Sequence, residues 1–355
     1  MERKKVKEDG KVKNYSVDST HETIMVNRCP ELSFREDVEY EVWRSMVKEK
    51  LTELLGDIPE RVDLDLRIEC EEDHETFTEY SMVFFSEKEV EVPCHLWIPK
   101  AARKPCPVVI CLQGHSTGMH ISMGRAVYPG DEELIGGGDR DFAKQIVNEG
   151  YAALVLEQRG FGARKSEREL QFRPNTKCTC AHPAMVAILM GRTLIGERVW
   201  DISRAIDVLE SFPEIDMDRV AVMGNSGGGT ATYYAACMDE RIKVAMPSCA
   251  VCSYKRSITA KRHCPCNYIP GIAKYLDMGD LACLIAPRKL VVVAGEKDTG
   301  FYIDGVKDAY ETIEKIYAKA GVPDACRLVV GAEGHRFYAD PSWSVFREIS
   351  GWESL

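Results

Sequence analysis

No stretch of this 355-residue chain approaches the ~20 consecutive apolar residues of a membrane-spanning helix, so no membrane partner is expected. The first 20 residues also lack the apolar centre of a secretory signal, which points to a cytoplasmic protein. Positive charge is in short supply. The 46 Lys and Arg face 56 Asp and Glu, giving a net charge of −10 and a pI near 5.5. A phosphate backbone attracts clustered Lys and Arg, so no nucleic-acid partner is expected either. The one basic run, Arg3-Lys4-Lys5 to Lys13, is interrupted by Glu8 and Asp9, and residues 1–20 read as a disordered or extended charged terminus. Internal repeats and low-complexity tracts are missing. Zinc-ribbon and zinc-finger spacings are missing too: the intervals between Cys178-x-Cys180, Cys249-x-x-Cys252 and Cys264-x-Cys266 fit neither pattern. No metal and no cofactor is therefore expected, and the 14 cysteines read mostly as free thiols of a reducing compartment.

What is present is an ordinary globular composition, 45% apolar and 29% charged. Ser33-Phe34-Arg35-Glu36 reads as a capping box, and Phe34, Val38, Val42, Met46, Leu51 and Leu55 trace one face of a helix ended by Gly56 and Pro59. From Arg61 to Lys100 the period changes to two, as in Val62, Leu64 and Leu66, which predicts an antiparallel meander. Six continuous apolar runs follow: Val108 to Leu112, Ala152 to Leu156, Val220 to Met223, Val244 to Met246, Leu290 to Ala294 and Leu328 to Val330. Helical patterns separate them, so the fold class is α/β, a mostly parallel sheet of about eight strands covered on both faces. One domain over 21–355 is expected, with a helical extension over 21–60. Two insertions, 163–197 and 248–287, should emerge at the strand ends where such sheets bind ligands.

Gly224-Asn225-Ser226-Gly227-Gly228 lies between the run ending at Met223 and a helix, so Ser226 sits on a sharp strand-to-helix turn. A serine so placed is exposed, with the N–H of Gly227 and a helix start beside any oxyanion. The hydroxyl needs a base, and that base needs an orienting acid. His335, on a Gly-flanked loop after the last core strand, is the candidate base. Asp298, beyond the strand of Leu290 to Ala294, is the candidate acid, ahead of Glu296, Asp304 and Asp308. A second oxyanion donor should come from Gln113-Gly114-His115, where the backbone N–H of His115 is best placed. Gln113 and the aromatic residues Tyr268, Phe301, Tyr302 and Phe337 are the candidate substrate contacts, while Arg159 reads as a loop-pinning residue.

With these motifs the chain resembles the α/β-hydrolase superfamily, and within it the acetyl xylan esterase and dienelactone hydrolase-like branch. The likeness spans residues 30 to 350. It rests on Gly224-x-Ser226-Gly227-Gly228-Gly229, Leu96-Trp97-Ile98-Pro99, Gln113-Gly114-His115, Arg159-Gly160-x-Gly162, Trp200-Asp201, Leu284-Ile285-Ala286-Pro287-Arg288 and Gly295-Glu296-Lys297-Asp298. The resemblance implies an α/β-hydrolase fold and an acyl-enzyme mechanism on short-acyl esters, with acetyl groups on a sugar or oligosaccharide as the substrate. Gln113 departs from the His usual in that loop. Two other readings share the motif order: a serine peptidase of the prolyl oligopeptidase type, which generally carries a large propeller, and an inactive binding protein on the same fold. Homo-oligomer formation is left open.

Overall fold

A computed structural model describes residues 7–8, 11–12 and 16–352. The run from Arg3 to Lys13 lies largely outside the described residues. A short pair, β1 (Lys7–Glu8) and β2 (Lys11–Val12), precedes α1 (Val17–Asn27) and α2 (Tyr40–Leu55). Three strands follow, β3 (Arg67–Asp73), β4 (Phe77–Glu87) and β5 (Val90–Pro99). The alternating part of the chain runs β6 (Cys106–Leu112), α3 (Asp131–Gly136), α4 (Phe142–Asn148), β7 (Ala152–Leu156), α5 (Glu167–Phe172), α6 (Ala181–Leu189), α7 (Leu194–Leu209), β8 (Ile215–Asn225) and α8 (Gly227–Met238). It closes with β9 (Ile242–Ser248), α9 (Ile272–Tyr275), β10 (Lys289–Gly295), α10 (Ile303–Lys319), β11 (Cys326–Gly331) and α11 (Ala339–Ser350). No helix among the described residues is long and apolar enough to cross a membrane.

Nine strands form the main sheet in the order β11-β10-β9-β8-β6-β7-β5-β4-β3, one more than the sequence pattern suggests. The six from β11 to β7 are parallel, and β5, β4 and β3 extend the sheet antiparallel. Each apolar run became a central strand because both of its faces are covered. In β6, Val108, Ile110 and Leu112 enter one core with residues of α2, α7, α8 and α10, while Val109 and Cys111 enter a second core with residues of α4 and α11. β10 divides in the same way, with Leu290, Val292 and Ala294 on one side and Val291 and Val293 on the other. Parallel strands align their C-terminal ends along one edge, and the loops after β6, β7, β8, β9, β10 and β11 emerge there.

Two readings of the N-terminal part need correction. The helix starts at Tyr40 with Glu39 as its cap, and its buried face is Trp43, Val47, Leu51 and Leu55, whereas Val42 is 59% and Met46 48% exposed. The strict i, i+4 row led by Trp43 buries more surface than the row through Val42. Ser33 does not cap a helix: its hydroxyl donates to Pro30 O, and Phe34 N–H donates to Asp280 Oδ1. Val62, Leu64 and Leu66 lie outside the strands. Arg204 Nη2 donates to Val62 O at 2.6 Å, so a side chain takes an acceptor that a ladder would have used.

The two helix faces can be told apart by mutation. Trp43→Ala should cost about 3–5 kcal/mol and Met46→Ala within about 0.5 kcal/mol, measured by denaturant unfolding. The reverse ranking would restore the face through Met46.

Candidate active site

Backbone crowding shapes the turn after β8. A Cβ on Gly228 would lie 2.1 Å from Leu112 O, and one on Gly224 would lie 2.6 Å from the Gly228 carbonyl carbon. Only hydrogen fits at either position, so α8 leaves the strand pressed directly against β6. Between them Ser226 adopts φ 59° and ψ −121°, a conformation that costs a non-glycine residue about 1–3 kcal/mol. Ser226 N–H donates to Ser248 O at 2.8 Å, and Ser226 O accepts from Thr230 N–H at 2.8 Å. Those two bonds fix the turn at the end of β9 and in the first turn of α8.

Asp298 follows β10 and His335 follows β11, on loops of adjacent parallel strands. His335 Nδ1 and Asp298 Oδ2 are 2.7 Å apart, and Asp298 Oδ1 accepts from Gly300 N–H at 2.7 Å and Phe301 N–H at 3.2 Å. Burial pushes the Asp298 carboxyl up, but these bonds, the His335 contact first, outweigh it and hold the group below the usual carboxylate range. Phe301 stacks parallel to the His335 ring, with centroids 6.0 Å apart and planes 12° apart. Arg140 Nη2 donates to His335 O at 3.4 Å and steadies the loop from behind.

Ser226 and His335 border one cavity of ≈ 380 Å³, together with Gly227, His115 and Phe301. A Cβ on Gly114 would lie 3.0 Å from Ser226 Cβ, so the loop after β6 runs alongside the hydroxyl. The N–H of Gly227 opens α8 and has no acceptor within the helix. The N–H of His115 has no acceptor among the described residues. Both donors thus remain available beside Ser226.

Of the five expected substrate contacts, Phe301 lines this cavity and the other four do not. Gln113 is buried, and its Nε2 donates to Glu157 Oε1 at 2.7 Å. Phe337 is fully buried and packs edge-on against Phe142 in the second core. Tyr302 is 43% exposed at the start of α10. The Tyr268 hydroxyl donates to Ile258 O at 3.2 Å, and its ring borders a separate groove shared with α1. In their place the insertion over 248–287 supplies Lys261, Arg262, His263 and Asn267 to the cavity wall. Sequence reading placed that insertion over the site but passed over its basic run Lys261-Arg262-His263. Arg159 bridges Asp201 at 2.8 Å and Glu197 at 3.2 Å, as a loop-pinning residue does.

The chain matches the model of the Abhydrolase family over residues 7–321. It belongs to that family. Among curated proteins the hydrolase is 28% identical over 300 residues to YtaP of Bacillus subtilis (strain 168), described as a hydrolase, a match covering 82% of this chain and 94% of that one. A solved structure described as an acetyl xylan esterase, from Bacteroides fragilis NCTC 9343, superposes with a TM-score of 0.73 at 17% identity over 95% of this chain and 85% of that chain. A glucuronoyl esterase from Solibacter usitatus gives 0.68 at 18% identity over 91% and 96%. An acetyl xylan esterase from Paenibacillus sp. R4 gives 0.55 at 21% identity over 93% and 99%. At these identities the structures support the α/β-hydrolase fold.

Glu157, after β7, is buried against the loop after β6 through Gln113. Burial pushes its carboxyl up to about 7, against the N–H donors of Met119 and Ala163, which favour the ionised form. Below the unfolded value of 4.5 both states hold the proton. Between there and about 7 the unfolded chain releases its proton first, so stability falls as pH rises, and the loss is complete above that value. Glu157→Gln should remove this loss, raising stability at pH 8 by on the order of 3 kcal/mol while leaving pH 4 nearly unchanged. Unfolding midpoints across pH check this, and a Glu157→Gln protein destabilised equally at both pH values would contradict it.

Proposed function

We propose that the protein is a serine carboxylic ester hydrolase that works through an acyl-enzyme on short-acyl esters, with acetyl groups on a sugar or oligosaccharide as its substrates. The observation that carries this reading is the strained Ser226 turn facing the same small cavity as an imidazole already bonded to a buried carboxylate. In the proposed reaction Ser226 Oγ attacks the ester carbonyl and its proton passes to His335 Nε2. Asp298 holds Nδ1–H, fixing the ring and stabilising the imidazolium. The N–H groups of Gly227 and His115 receive the oxyanion, each contributing a factor of ~10²–10³ in rate. The alcohol departs with the proton from Nε2. Water, deprotonated by His335, then releases the acid and restores the serine. The part of the chain before the parallel strands, over 16–99, forms two helices and three strands of the main sheet, which gives no support to the propeller-bearing peptidase reading.

Removal of the hydroxyl separates chemistry from folding. Ser226→Ala and Ser226→Gly should each lower turnover of a short-chain aryl ester by roughly 10⁴-fold or more. Ser226→Gly should melt at or above the wild-type temperature, because relief of about 1–3 kcal/mol of strain offsets the ~0.5–1 kcal/mol that glycine costs. Undiminished turnover in either variant would end the proposal.

The exposed side chains of Lys261 and Arg262 give the rim of the cavity a positive charge, although the whole chain carries −10. This rim favours esters whose sugar portion carries a carboxylate. Arg262→Gln should raise KM for such an ester several-fold at low salt and leave a neutral acetyl ester unaffected, with the difference fading near 1 M salt as screening shortens to about 3 Å. Equal effects on both esters would assign Arg262 a merely structural role.

A further inference from the structure

Fourteen cysteines are free in the structure, and three of them converge with one histidine although sequence spacing gave no hint of a metal site. The ligand atoms of His115, Cys180, Cys264 and Cys266 all lie within 4.8 Å of one another, and His115 Nε2 is 3.2 Å from Cys266 Sγ. In a tetrahedral zinc site with Zn–S near 2.3 Å the sulfur atoms stand about 3.8 Å apart. The observed cluster is close to that size before any ion draws it in. The ligands come from three separate loops: His115 from the loop after β6, Cys180 from the insertion over 163–197, and Cys264 and Cys266 from the insertion over 248–287. A zinc ribbon or finger takes its ligands from closely spaced pairs, which is why a search by spacing finds nothing here.

A second observation points to negative charge at the same place. Arg198 is 1% exposed, and among the described residues it meets no carboxylate. Its guanidinium donates to Arg159 O at 2.6 and 3.2 Å and to Cys180 Sγ at 3.1 Å, and its face covers the Phe161 ring at 4.5 Å. A buried guanidinium is always charged and demands a compensating anion. Three neutral thiols supply none. Three thiolates and a neutral imidazole around Zn²⁺ carry a net −1, which cancels the one positive charge of Arg198.

We infer that His115, Cys180, Cys264 and Cys266 bind one zinc ion that clamps the two insertions to the loop after β6, with Arg198 as its charge partner. Binding releases three thiol protons to solvent; His115 binds through Nε2 as the neutral ring. The donor set, soft sulfur with one imidazole, suits zinc over magnesium or calcium. Four protein ligands leave no open position, so the ion is structural. A path to it exists, because Cys180 and Cys264 border a second opening. On the reading of Gly227 and His115 as oxyanion donors, the ion also makes His115 a positioning residue, since its ring is held while its N–H faces Ser226.

The full-length protein, expressed with zinc in the medium, should carry one zinc per chain by elemental analysis, released when a mercurial reagent titrates the thiols. Refolding with Co²⁺ in place of zinc should give an intense near-ultraviolet thiolate-to-cobalt band and the visible bands of a tetrahedral ion. Cys180→Ser and Cys264→Ser should each lower bound zinc at least tenfold, while Cys29→Ser, at an exposed cysteine outside the cluster, retains it. Metal-free protein that gives no cobalt spectrum would overturn the inference, whether its thiols count as fourteen or as fewer through disulfides. Iron or copper in place of zinc would overturn it as well. None of these measurements uses turnover, so they stand apart from the esterase reading. If both hold, the wild-type protein stripped of zinc should lose kcat with KM little changed; an unchanged kcat would overturn the positioning role of His115.

Discussion

The close crossing of α8 over β6 is the constraint on which the rest of the molecule depends. With Gly228 lying against the Leu112 carbonyl, the chain must reverse within a few residues of the strand end, and Ser226 takes up the distortion. Strain of ~1–3 kcal/mol persists only where the surroundings over-determine it. Here they do so twice. Hydrogen bonds tie Ser226 to Ser248 and Thr230, and β8, the strand that leads into it, places Val220, Val222, Ala221 and Met223 in fully buried positions on both faces of the sheet. Each large side chain so buried contributes roughly 1.5–3 kcal/mol. The stiff sheet can therefore hold one residue in an unfavourable conformation without local relaxation.

Two carboxyl groups at the C-terminal edge of the parallel strands, after β10 and β7, show how the same edge shifts ionisation in opposite directions. Asp298 accepts from two backbone N–H groups and from His335, and the attraction of the imidazole keeps it ionised. Glu157 also accepts from two backbone N–H groups and an amide, but these fail to offset its deeper burial. Burial dominates at Glu157, where neither the Arg164 charge nor the neutral Gln113 offsets it, whereas the His335 bond decides at Asp298. Gln113 therefore serves the loop after β6 from within, bonding to Glu157 and, through its backbone oxygen, to Gln158 Nε2 at 2.7 Å. A histidine in its place would put a titratable ring against a carboxyl already near neutrality.

Legibility in the sequence followed the range of the interactions. The six parallel strands could be read because two covered faces require uninterrupted apolar runs, a local signal of several residues. Ser226, Asp298 and His335 could be ordered because each follows such a run directly. The face of α2 was misread because two i, i+4 rows compete there, and only the packing of Trp43, Val47, Leu51 and Leu55 against the central core decides between them. Phe337 and Tyr268 lie on loops near the site, but the direction of a loop side chain is set by neighbours distant in sequence. The His115 and Cys180 side chains meet for the same reason, from segments whose contact no spacing rule encodes.

Where those segments meet one another, apolar packing is thinner than within the sheet. Around Phe161, Cys180, Ala184, Leu194 and Cys266 the buried apolar cluster is small, and three of its members are a cysteine pair and an alanine. Most of the apolar burial of 248–287 lies elsewhere, in the central core with Tyr254, Ile258, Ile269 and Leu276, so little apolar area is left at this cluster to hold the two insertions together. Polar and ionic links add to it. Arg159 and Arg164 share Asp201, Arg192 reaches Glu87, and Lys261 ties one insertion to Thr299 beside Asp298. Arg159 is joined to the thiol cluster through Arg198, which donates to Arg159 O and to Cys180 Sγ. Arg159 and Arg164 find carboxylates there, whereas Arg198 finds only a carbonyl, a ring and a sulfur. The position of that one uncompensated charge, next to Cys180, is what makes the sulfur cluster the natural seat of the missing anion.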